Sequence, residues 1–476
     1  KVNDYLVEVY LATKNYEAAL KSINKIKHPS TKILEAKQDI LFQLGTQAFA
    51  NVKLDDAVSL FSQAIQLGSY NMEARNDAYF WRGESYYRMG EYENAISDYR
   101  TYLNNTRQRN TDMYALAYYN LGYSYFKLRD YSAALNRFRQ YVDLESNRQA
   151  ASLADAYNRI GDCLYQNRQF SLAEENYSRA AQLSPSAGDY SIYQKGFLLG
   201  LQKDYKGKIS AMDRLISEYP ESQYVDDALF EKGRSYVLLE NSSSAAQAFE
   251  KLIREFPQSS LARKAGIQLG LLYYNDNQPE KALAAYKQVI SNYPGSEEAK
   301  IALQDLKSVY IDLNDINAYA SYVNSIGGNI RLEVGEQDSL TYIAAEKLFM
   351  RGDNDGARRS LINYLQTFPE GAFSSNANFY LGSIAFAKKE FDEAIQRFKS
   401  VIASGDTKFL EESVARTAEI EYLSKDYPAA LESFKRLQIV AENPENRQAA
   451  RLGIMRCALP VSYTHLRAHE TKANLV

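Results

Sequence analysis

The residues from Gly200 to Lys208 come nearest in this sequence to a phosphate-binding loop. Such a loop places its two glycines five positions apart and follows its lysine with a serine or threonine that reaches magnesium. Here Gly200 and Gly207 lie seven positions apart, and Ile209 follows the lysine. The stretch therefore predicts a turn between two helices and not a nucleotide site.

The segment Asp353-Asn354-Asp355-Gly356 has the composition of the turn in a calcium-binding loop. If Gly356 takes position 6 of that loop, Arg351 stands at position 1 and Ile362 at position 12, where carboxylates are needed to hold calcium. The segment therefore predicts a polar turn that leads into a helix.

The pattern Gly-x-Ser-Tyr occurs at Gly83, Gly122 and Gly233, but no second glycine follows the serine to make a nucleophile elbow. Two of the three histidines, His465 and His469, lie in the last twelve residues, which leaves only His28 for the rest of the chain. A catalytic triad or a histidine-rich metal site lacks its residues. We expect no enzyme, no cofactor and no metal. Catalysis by carboxylates alone is the one alternative left open, but no pair of carboxylates is singled out for it.

Charge and hydropathy exclude further classes of protein. Lys and Arg total 56 against 59 Asp and Glu, a net charge of −3, so there is no cationic surplus to neutralise phosphates and nucleic acid is not an expected partner. No run of 18 apolar residues occurs, so no transmembrane segment is expected. Cys163 and Cys457 lie far apart in sequence, and we expect no disulfide between them.

A small residue, usually glycine, recurs every 35 to 39 residues along the chain, and alanine follows twelve residues later in most cases. Four residues after the alanine comes a large side chain, which puts both on one face of a helix. The recurring glycines are Gly45, Gly83, Gly122, Gly161, Gly196, Gly233, Gly270, Gly382 and Gly453. Lys208 and Tyr319 stand where alanine is expected.

The stretch from Tyr157 to Pro185 shows the whole unit, with Gly161, Ala173 and Tyr177 at the recurring positions. It resembles the tetratricopeptide repeat (TPR), in which two short antiparallel helices, helix A and helix B, pack through small residues and aromatic rings. The resemblance implies an all-α fold, a TPR α-solenoid forming a right-handed superhelix of about twelve antiparallel helix pairs.

Spacers with an aromatic residue, proline and then serine end several repeats, as in Tyr219-Pro220-Glu221-Ser222. Proline ends helix B, and the serine is expected to cap the next helix A. This spacer resembles the TPR proteins of the Gram-negative cell envelope, such as outer-membrane assembly lipoproteins and the Tol-Pal coordinator. That resemblance implies the periplasm or cell envelope of a Gram-negative bacterium in preference to the cytoplasm, with peripheral or lipoprotein membrane association upstream of Lys1.

The repeats divide the chain into predicted segments. We expect an N-terminal TPR array in 1–310, an irregular repeat or junction in 311–340, and a C-terminal array in 341–460. Residues 461–476 resemble translated sequencing-adaptor sequence and are predicted to be a non-native tail. We accordingly expect the natural protein to extend beyond both ends of this chain.

In a TPR array, helix A lines the concave groove, so the resemblance also implies which residues face a ligand. Each aromatic residue among them has the alternative role of packing only against the next repeat. The lysine and asparagine pairs that grip a C-terminal carboxylate in chaperone-binding TPRs are absent from the matching positions. The candidate protein- or peptide-binding residues are Asp77, Phe80, Glu84, Tyr87, Tyr119, Tyr123, Phe126, Asn158, Asp162 and Tyr165.

The sequence therefore predicts a non-catalytic scaffold that binds partner proteins or peptides through this groove. Two alternatives remain open. One is a structural role in an envelope assembly, in which edge contacts matter more than a groove. The other is a regulatory or structural arm of a larger multidomain enzyme or sensor whose other domains lie outside this chain.

Overall fold

The computed structural model describes residues 5, 8, 9, 12–327, 331–405 and 407–473, and it describes no side chain at 407 or after 458. Within these residues it contains 24 α-helices, one short 3-10 turn and no strand, which confirms the all-α prediction. The chain divides into two compact units, residues 1–262 and residues 263–476, and the division falls inside one helix.

The first unit holds thirteen complete helices that follow one another with short turns. They are α1 (Tyr16–Ile23), α2 (Thr31–Ala50), α3 (Leu54–Gln66), α4 (Met72–Met89), α5 (Tyr92–Asn105), α6 (Asp112–Lys127), α7 (Tyr131–Leu144), α8 (Ala151–Gln166), α9 (Phe170–Leu183), α10 (Asp189–Leu201), α11 (Tyr205–Glu218), α12 (Val225–Leu238) and α13 (Ser242–Glu255), with the 3-10 turn Pro185–Ala187 before α10.

The second unit continues the same alternation of helices. Its helices are α14 (Ser260–Asn275), in which the division falls, α15 (Pro279–Asn292), α16 (Glu297–Asp312), α17 (Ile316–Ile326), α18 (Val334–Met350), α19 (Asn354–Thr367), α20 (Ser374–Ala387), α21 (Phe391–Ser404), α22 (Thr407–Leu423), α23 (Tyr427–Val440) and α24 (Pro444–Ala473). Even-numbered helices from α2 onward are helix A of a repeat, and the odd-numbered helix that follows each is its helix B.

The recurring glycine lets helix A approach the large side chain of its own helix B. A Cβ atom added at Gly161 on α8 would lie 2.6 Å from the ring of Tyr177 on α9, and one added at Gly122 would lie 2.9 Å from Phe138. Both rings are buried, with at most 1% of their surface exposed. Because van der Waals contact needs more than 3 Å, the glycines are required by the packing, and the predicted repeat register is confirmed.

Lys208, which breaks the alanine pattern, lies in α11 and is buried. Its ammonium pairs with Glu231 on α12, so the charge is compensated inside the unit. Gly200 lies near the end of α10, and Asp204 caps α11 by accepting a hydrogen bond from the backbone N–H of Gly207 at 2.9 Å. The apparent phosphate loop is therefore the turn between two helices, as predicted.

The turn that resembles a calcium loop is a helix cap. Asp353 precedes α19, and its Oδ1 accepts a hydrogen bond from the backbone N–H of Gly356 at 2.9 Å. A carboxylate in this position satisfies an N–H group that has no partner inside the helix. The predicted polar turn is thus observed.

The proline spacers end helix B where the sequence predicted, but their serines have two roles. Ser296 caps α16 by accepting a hydrogen bond from Ala299 N at 3.0 Å, as expected. Ser222 instead donates its hydroxyl to Asp189 on the preceding helix A at 2.6 Å, and Ser259 donates to Asp226 at 2.7 Å. In these two spacers the serine ties one repeat to the one before it.

The division at 262/263 differs in position from the predicted junction at 311–340. Residues 328–330 of that junction lie outside the described residues. The backbone of α24 is helical to Ala473, but the side chains of 461–476 are not described. The predicted segments 1–310, 311–340, 341–460 and 461–476, and the non-native origin of the last, therefore stay predictions.

Candidate functional site

The ten candidate residues all lie on three helices A of the first unit, namely α4, α6 and α8. Each of these helices has five predicted ligand-facing positions, and we call the side chains at these positions the helix-A surface. They are Asp77, Phe80, Glu84, Tyr87 and Arg88 on α4, Leu116, Tyr119, Tyr123, Phe126 and Lys127 on α6, and Asp155, Asn158, Asp162, Tyr165 and Gln166 on α8. Leu116, which occupies one of these positions on α6, is 38% exposed. Several candidates form hydrogen bonds to other residues on neighbouring helices, and these bonds decide which candidates remain accessible.

On α4, Phe80 is buried, with 2% of its surface exposed. Its ring centroid lies 5.3 Å from that of Tyr102 and 5.8 Å from that of Tyr99, both on α5, in edge-to-face arrangements. Such contacts stabilise the packing of α4 on α5. Phe80 thus lies in the core of its repeat and does not reach the surface.

Glu84 on α4 is a junction between three helices. Its Oε2 accepts hydrogen bonds from the Tyr99 hydroxyl on α5 at 2.9 Å and from Asn120 Nδ2 on α6 at 3.1 Å. Its Oε1 accepts from Arg88 Nε at 3.2 Å, one turn along the same helix. The carboxylate is thereby held in one orientation at the edge of the helix-A surface.

On α6, Tyr119 and Tyr123 both donate their hydroxyls to Oδ2 of Asp155 on α8, Tyr119 at 2.7 Å. Burial and the negative charge of Asp155 raise the pKa of both phenols well above the usual value. Both hydroxyls therefore stay protonated as donors, and the shared carboxylate fixes α6 against α8.

Arg159 on α8 was not among the candidates, yet it occupies the centre of the site. Its Nε lies 3.5 Å from Asp155 Oδ1, and its Nη1 donates to Asp162 Oδ2 at 2.6 Å. Its guanidinium carbon also lies 4.9 Å from the ring centroid of Tyr190 on α10 and 5.8 Å from that of Phe126. In the sequence, Asp155 lies four residues before Arg159 and Asp162 three residues after it, and this spacing on a helix indicates ion pairs.

Asn158 and Asp162 on α8 are buried and hold α10. Asn158 Oδ1 accepts from the Ser191 hydroxyl at 2.9 Å, and Asp162 Oδ1 accepts from Tyr177 at 2.7 Å and from Tyr190 at 2.8 Å. Burial raises the pKa of Asp162, although Arg159 and the two phenols act in the opposite direction. These two candidates serve the packing between repeats.

The remaining aromatic candidates pair across the turn between helix A and helix B. The ring centroids of Tyr87 and Tyr92 lie 5.5 Å apart, and those of Phe126 and Tyr131 also lie 5.5 Å apart. Tyr165 lies 5.9 Å from Phe170 in the same way. Tyr87, Phe126 and Tyr165 are half-buried, so each keeps part of its ring exposed on the helix-A surface.

Asp77, at the start of α4, is half-buried and faces a cleft of about 1020 Å³. Burial, together with the nearby negative charge of Glu73, raises the pKa of Asp77 to about 6. An aspartate with such a pKa inside a cleft is the kind of group that binding sites contain. Asp77 is thus the candidate whose environment differs most from that of a packed structural residue.

Metal binding, thiol chemistry and membrane insertion would each need particular residues in the described part of the chain. No group of three or more His, Cys, Asp or Glu residues there is arranged to hold a metal ion. Cys163 on α8 and Cys457 on α24 are both buried free thiols. None of the described helices combines the length and the apolar character needed to cross a membrane.

Comparison with protein families identifies the class of this protein. Models of the tetratricopeptide repeat match residues 42–112, 119–188, 190–222 and 344–407, which is half of the chain. The chain belongs to the tetratricopeptide-repeat family. A further family model, described as the outer membrane lipoprotein YfiO, matches residues 226–304.

Several solved structures have a similar arrangement of helices. The C-terminal part of a TPR repeat-containing protein from Cytophaga hutchinsonii is 20% identical, with 55% of this chain and 99% of that chain covered and a TM-score of 0.47. YrrB, a TPR protein with an unusual peptide-binding site, is 23% identical over 43% and 96%, with a TM-score of 0.35. PilF of Pseudomonas aeruginosa is 16% identical over 48% and 97%, with a TM-score of 0.36. No curated protein matches the chain.

Proposed function

We propose that this protein is a non-catalytic scaffold that binds an extended segment of a partner protein along the helix-A surface of its first unit. The observation that carries the proposal is the row of half-exposed aromatic rings on α4, α6 and α8. Tyr119 and Tyr123 are held by the carboxylate of Asp155, and the other rings rest on rings of helix B. A surface that is already ordered loses little conformational entropy on binding.

The aromatic rings suit this role because tyrosine combines a large contact area with few rotatable bonds. Tyr87, Phe126 and Tyr165 each rest on a ring of their own helix B, so their positions are fixed before a partner arrives. A partner side chain that packs between them would exclude water from a preformed site. Residues of this kind are the usual centres of binding energy in protein interfaces.

The polar groups of the helix-A surface support binding better than catalysis. Asp155 accepts from two phenols and lies beside Arg159, and Asp162 accepts from two phenols and the same arginine. A general base needs a free acceptor within reach of the substrate proton. The oxygens of these carboxylates instead accept hydrogen bonds that hold the helices together.

A location in the cell envelope is the second part of the proposal. The match of residues 226–304 to a model of an outer membrane lipoprotein supports it, as does the spacer of aromatic residue, proline and serine. Fractionation of the source cells into cytoplasm, periplasm and membranes, with detection of the native protein, tests this part. Recovery in the cytoplasmic fraction would contradict it.

The binding surface is tested by a matched pair of substitutions. Leu116 on α6 is 38% exposed on the helix-A surface, and Leu172 on α9 is 46% exposed on a helix B. Short random peptides are selected for binding to the full chain, and their affinity is then measured for Leu116→Arg and Leu172→Arg. We expect Leu116→Arg to weaken binding about tenfold or more and Leu172→Arg to leave it within about twofold. Equal losses in both variants would place the binding surface elsewhere.

A further inference from the structure

The cleft beside Asp77 is a second feature of the first unit, and it lies at the loop edge of the repeats. It is bounded by the first turn of α4, the end of α5, and the loop that leads into α6. Its volume of about 1020 Å³ is large enough for several residues of a peptide, since ligand pockets are usually on the order of 300–1000 Å³.

The lining of this cleft carries charges of both signs. Glu73 and Asp77 lie one turn apart on α4, and Arg107 and Arg109 come from the loop. Arg75, also on α4, lines the cleft as well and donates its Nη1 to the Ser69 hydroxyl at 2.9 Å. Besides burial, the charge of Glu73 raises the pKa of Asp77. Burial and then the charge of Asp77 raise the pKa of Tyr102 on α5 to about 12. The charge of Arg109 instead acts on the phenol of Tyr114 on α6, where it opposes the larger effect of burial, which raises the pKa.

Asp77 differs from the other carboxylates of the site in its partners. Glu84, Asp155 and Asp162 each have an arginine at 3.5 Å or less. Within the described residues, no ion pair and no hydrogen bond to the Asp77 side chain is found. A half-buried carboxylate beside a second carboxylate is costly, and a cation supplied from outside would remove that cost.

The neutral part of the lining suits a peptide backbone. Asn104, Asn105 and Thr106 at the end of α5 contribute amide and hydroxyl groups. Asn76 donates its Nδ2 to the Thr106 hydroxyl at 2.7 Å, while its Oδ1 is buried and finds no hydrogen-bond partner in the described part of the chain. Groups that both donate and accept match the alternating C=O and N–H groups of an extended chain.

We propose that this cleft binds a peptide segment of the partner that carries a lysine or arginine side chain, with Asp77 as the counter-ion of that side chain. Glu73 adds a second negative charge, and the amides of Asn104 and Asn105 contact the peptide backbone. Arg107 and Arg109, which come from the loop, favour a carbonyl or acidic group of the same peptide. The inference rests on the proposed function, because it names the chemistry of the partner segment.

The experiment uses the peptides selected on the full chain. Each bound peptide is compared with a version in which its lysine is replaced by norleucine or its arginine by citrulline, and both are measured against the wild-type chain and Asp77→Asn. We expect lysine or arginine at one fixed position of the selected peptides, a loss of about tenfold or more in Asp77→Asn, and little further loss when both changes are combined. Circular dichroism checks that the variant keeps its helices.

A second readout comes from the pH dependence of binding. A bound cation favours the ionised form of Asp77, so binding should release a proton when the free carboxyl is partly protonated, around pH 6. Calorimetry in two buffers of different ionisation enthalpy measures that release, and Asp77→Asn should abolish it. Glu73, Arg75, Tyr102, Arg107 and Arg109 are the other charged or titratable groups that line the cleft.

Any of the following outcomes overturns the inference. One is that the selected peptides bind Asp77→Asn with an affinity within about twofold of that for the wild-type chain. Another is selection of acidic peptides whose binding is weakened by Arg107→Gln and Arg109→Gln. If peptides respond to Leu116→Arg but not to Asp77→Asn, the cleft inference fails and the proposed function stands, whereas failure to select any peptide removes both.

Discussion

Tyr119 on α6 donates its hydroxyl to Asp155 Oδ2 on α8 at a distance of 2.7 Å, across the boundary between two repeats. Tyr123, one turn further along α6, donates to the same oxygen. One carboxylate thus fixes two aromatic side chains of the neighbouring helix A. The order of the helix-A surface is a property of pairs of repeats and not of any single repeat.

Tyr119→Phe should loosen this boundary. The variant keeps the ring and loses a hydrogen bond to a charged acceptor, which we expect to cost about 1–2 kcal/mol. Because each repeat contacts mainly its neighbours, the effect should appear as faster amide hydrogen exchange in α6 and α8. Tyr131→Phe on α7 removes a hydroxyl that has no hydrogen bond within the described residues, and it serves as the matched control. Equal exchange in the two variants would show that the shared carboxylate contributes nothing to order.

Gly161→Ala should destabilise the first unit. The added methyl group would lie 2.6 Å from the ring of Tyr177, which is only 1% exposed and has no room to move. We expect a loss of about 1–3 kcal/mol, as for other overpacked cores. Gly335→Ala on α18, where nothing lies within 4 Å of the new methyl group, should be neutral or stabilising by up to about 1 kcal/mol. Thermal melting compares the two, and a harmless Gly161→Ala would contradict the packing described.

Phe138→Ala and Tyr177→Ala should each cost about 3–5 kcal/mol locally, because both rings are fully buried and leave cavities. Both occupy the same position of successive repeats, and they contact Gly122 and Gly161 respectively. Thermal denaturation with a fluorescent probe measures the shift. A melting temperature unchanged in both variants would reject the repeat register.

Asp77→Asn should stabilise the protein at neutral pH. Burial and Glu73 raise the pKa of Asp77 to about 6, so the fold favours the protonated form. Stability is therefore lost as pH rises from about 4 through about 6, and it remains lost above that range. The variant should melt at a higher temperature than wild type at about pH 7.5, with a difference that shrinks towards about pH 4. Asp143→Asn on α7, at an exposed carboxylate, is the control, and a pH-independent difference for Asp77→Asn would contradict the account.

The helix pairs could be predicted from the sequence because their cause is local and repeated. Glycine at one position and a large ring sixteen residues later, as in Gly161 and Tyr177, specify both the helices and their contact. The turns before Lys208 and at Asp353 were likewise predictable, because a single residue that cannot bind magnesium or calcium is enough to exclude the phosphate or calcium site.

The contacts between repeats were harder to predict. Nothing in the order of residues shows that Ser222 and Ser259 reach back to an aspartate of the preceding repeat, because that contact depends on how the repeats stack. Phe80 and Asn158 occupy ligand-facing positions of the repeat, but the packing of α5 and α10 buries both side chains. Arg159 lay outside the predicted positions, although its spacing from Asp155 and Asp162 indicated ion pairs.

Photo-crosslinking tests most directly the claim that a partner binds the helix-A surface of the first unit. Benzoylphenylalanine is placed at Leu116 on α6 or, as the control, at Leu172 on α9, and the full chain is irradiated with a selected peptide. We predict a specific crosslink from position 116 and none from position 172, with loss of the crosslink when unlabelled peptide competes. A crosslink from position 172 alone would contradict the account and place the binding surface on the helices B.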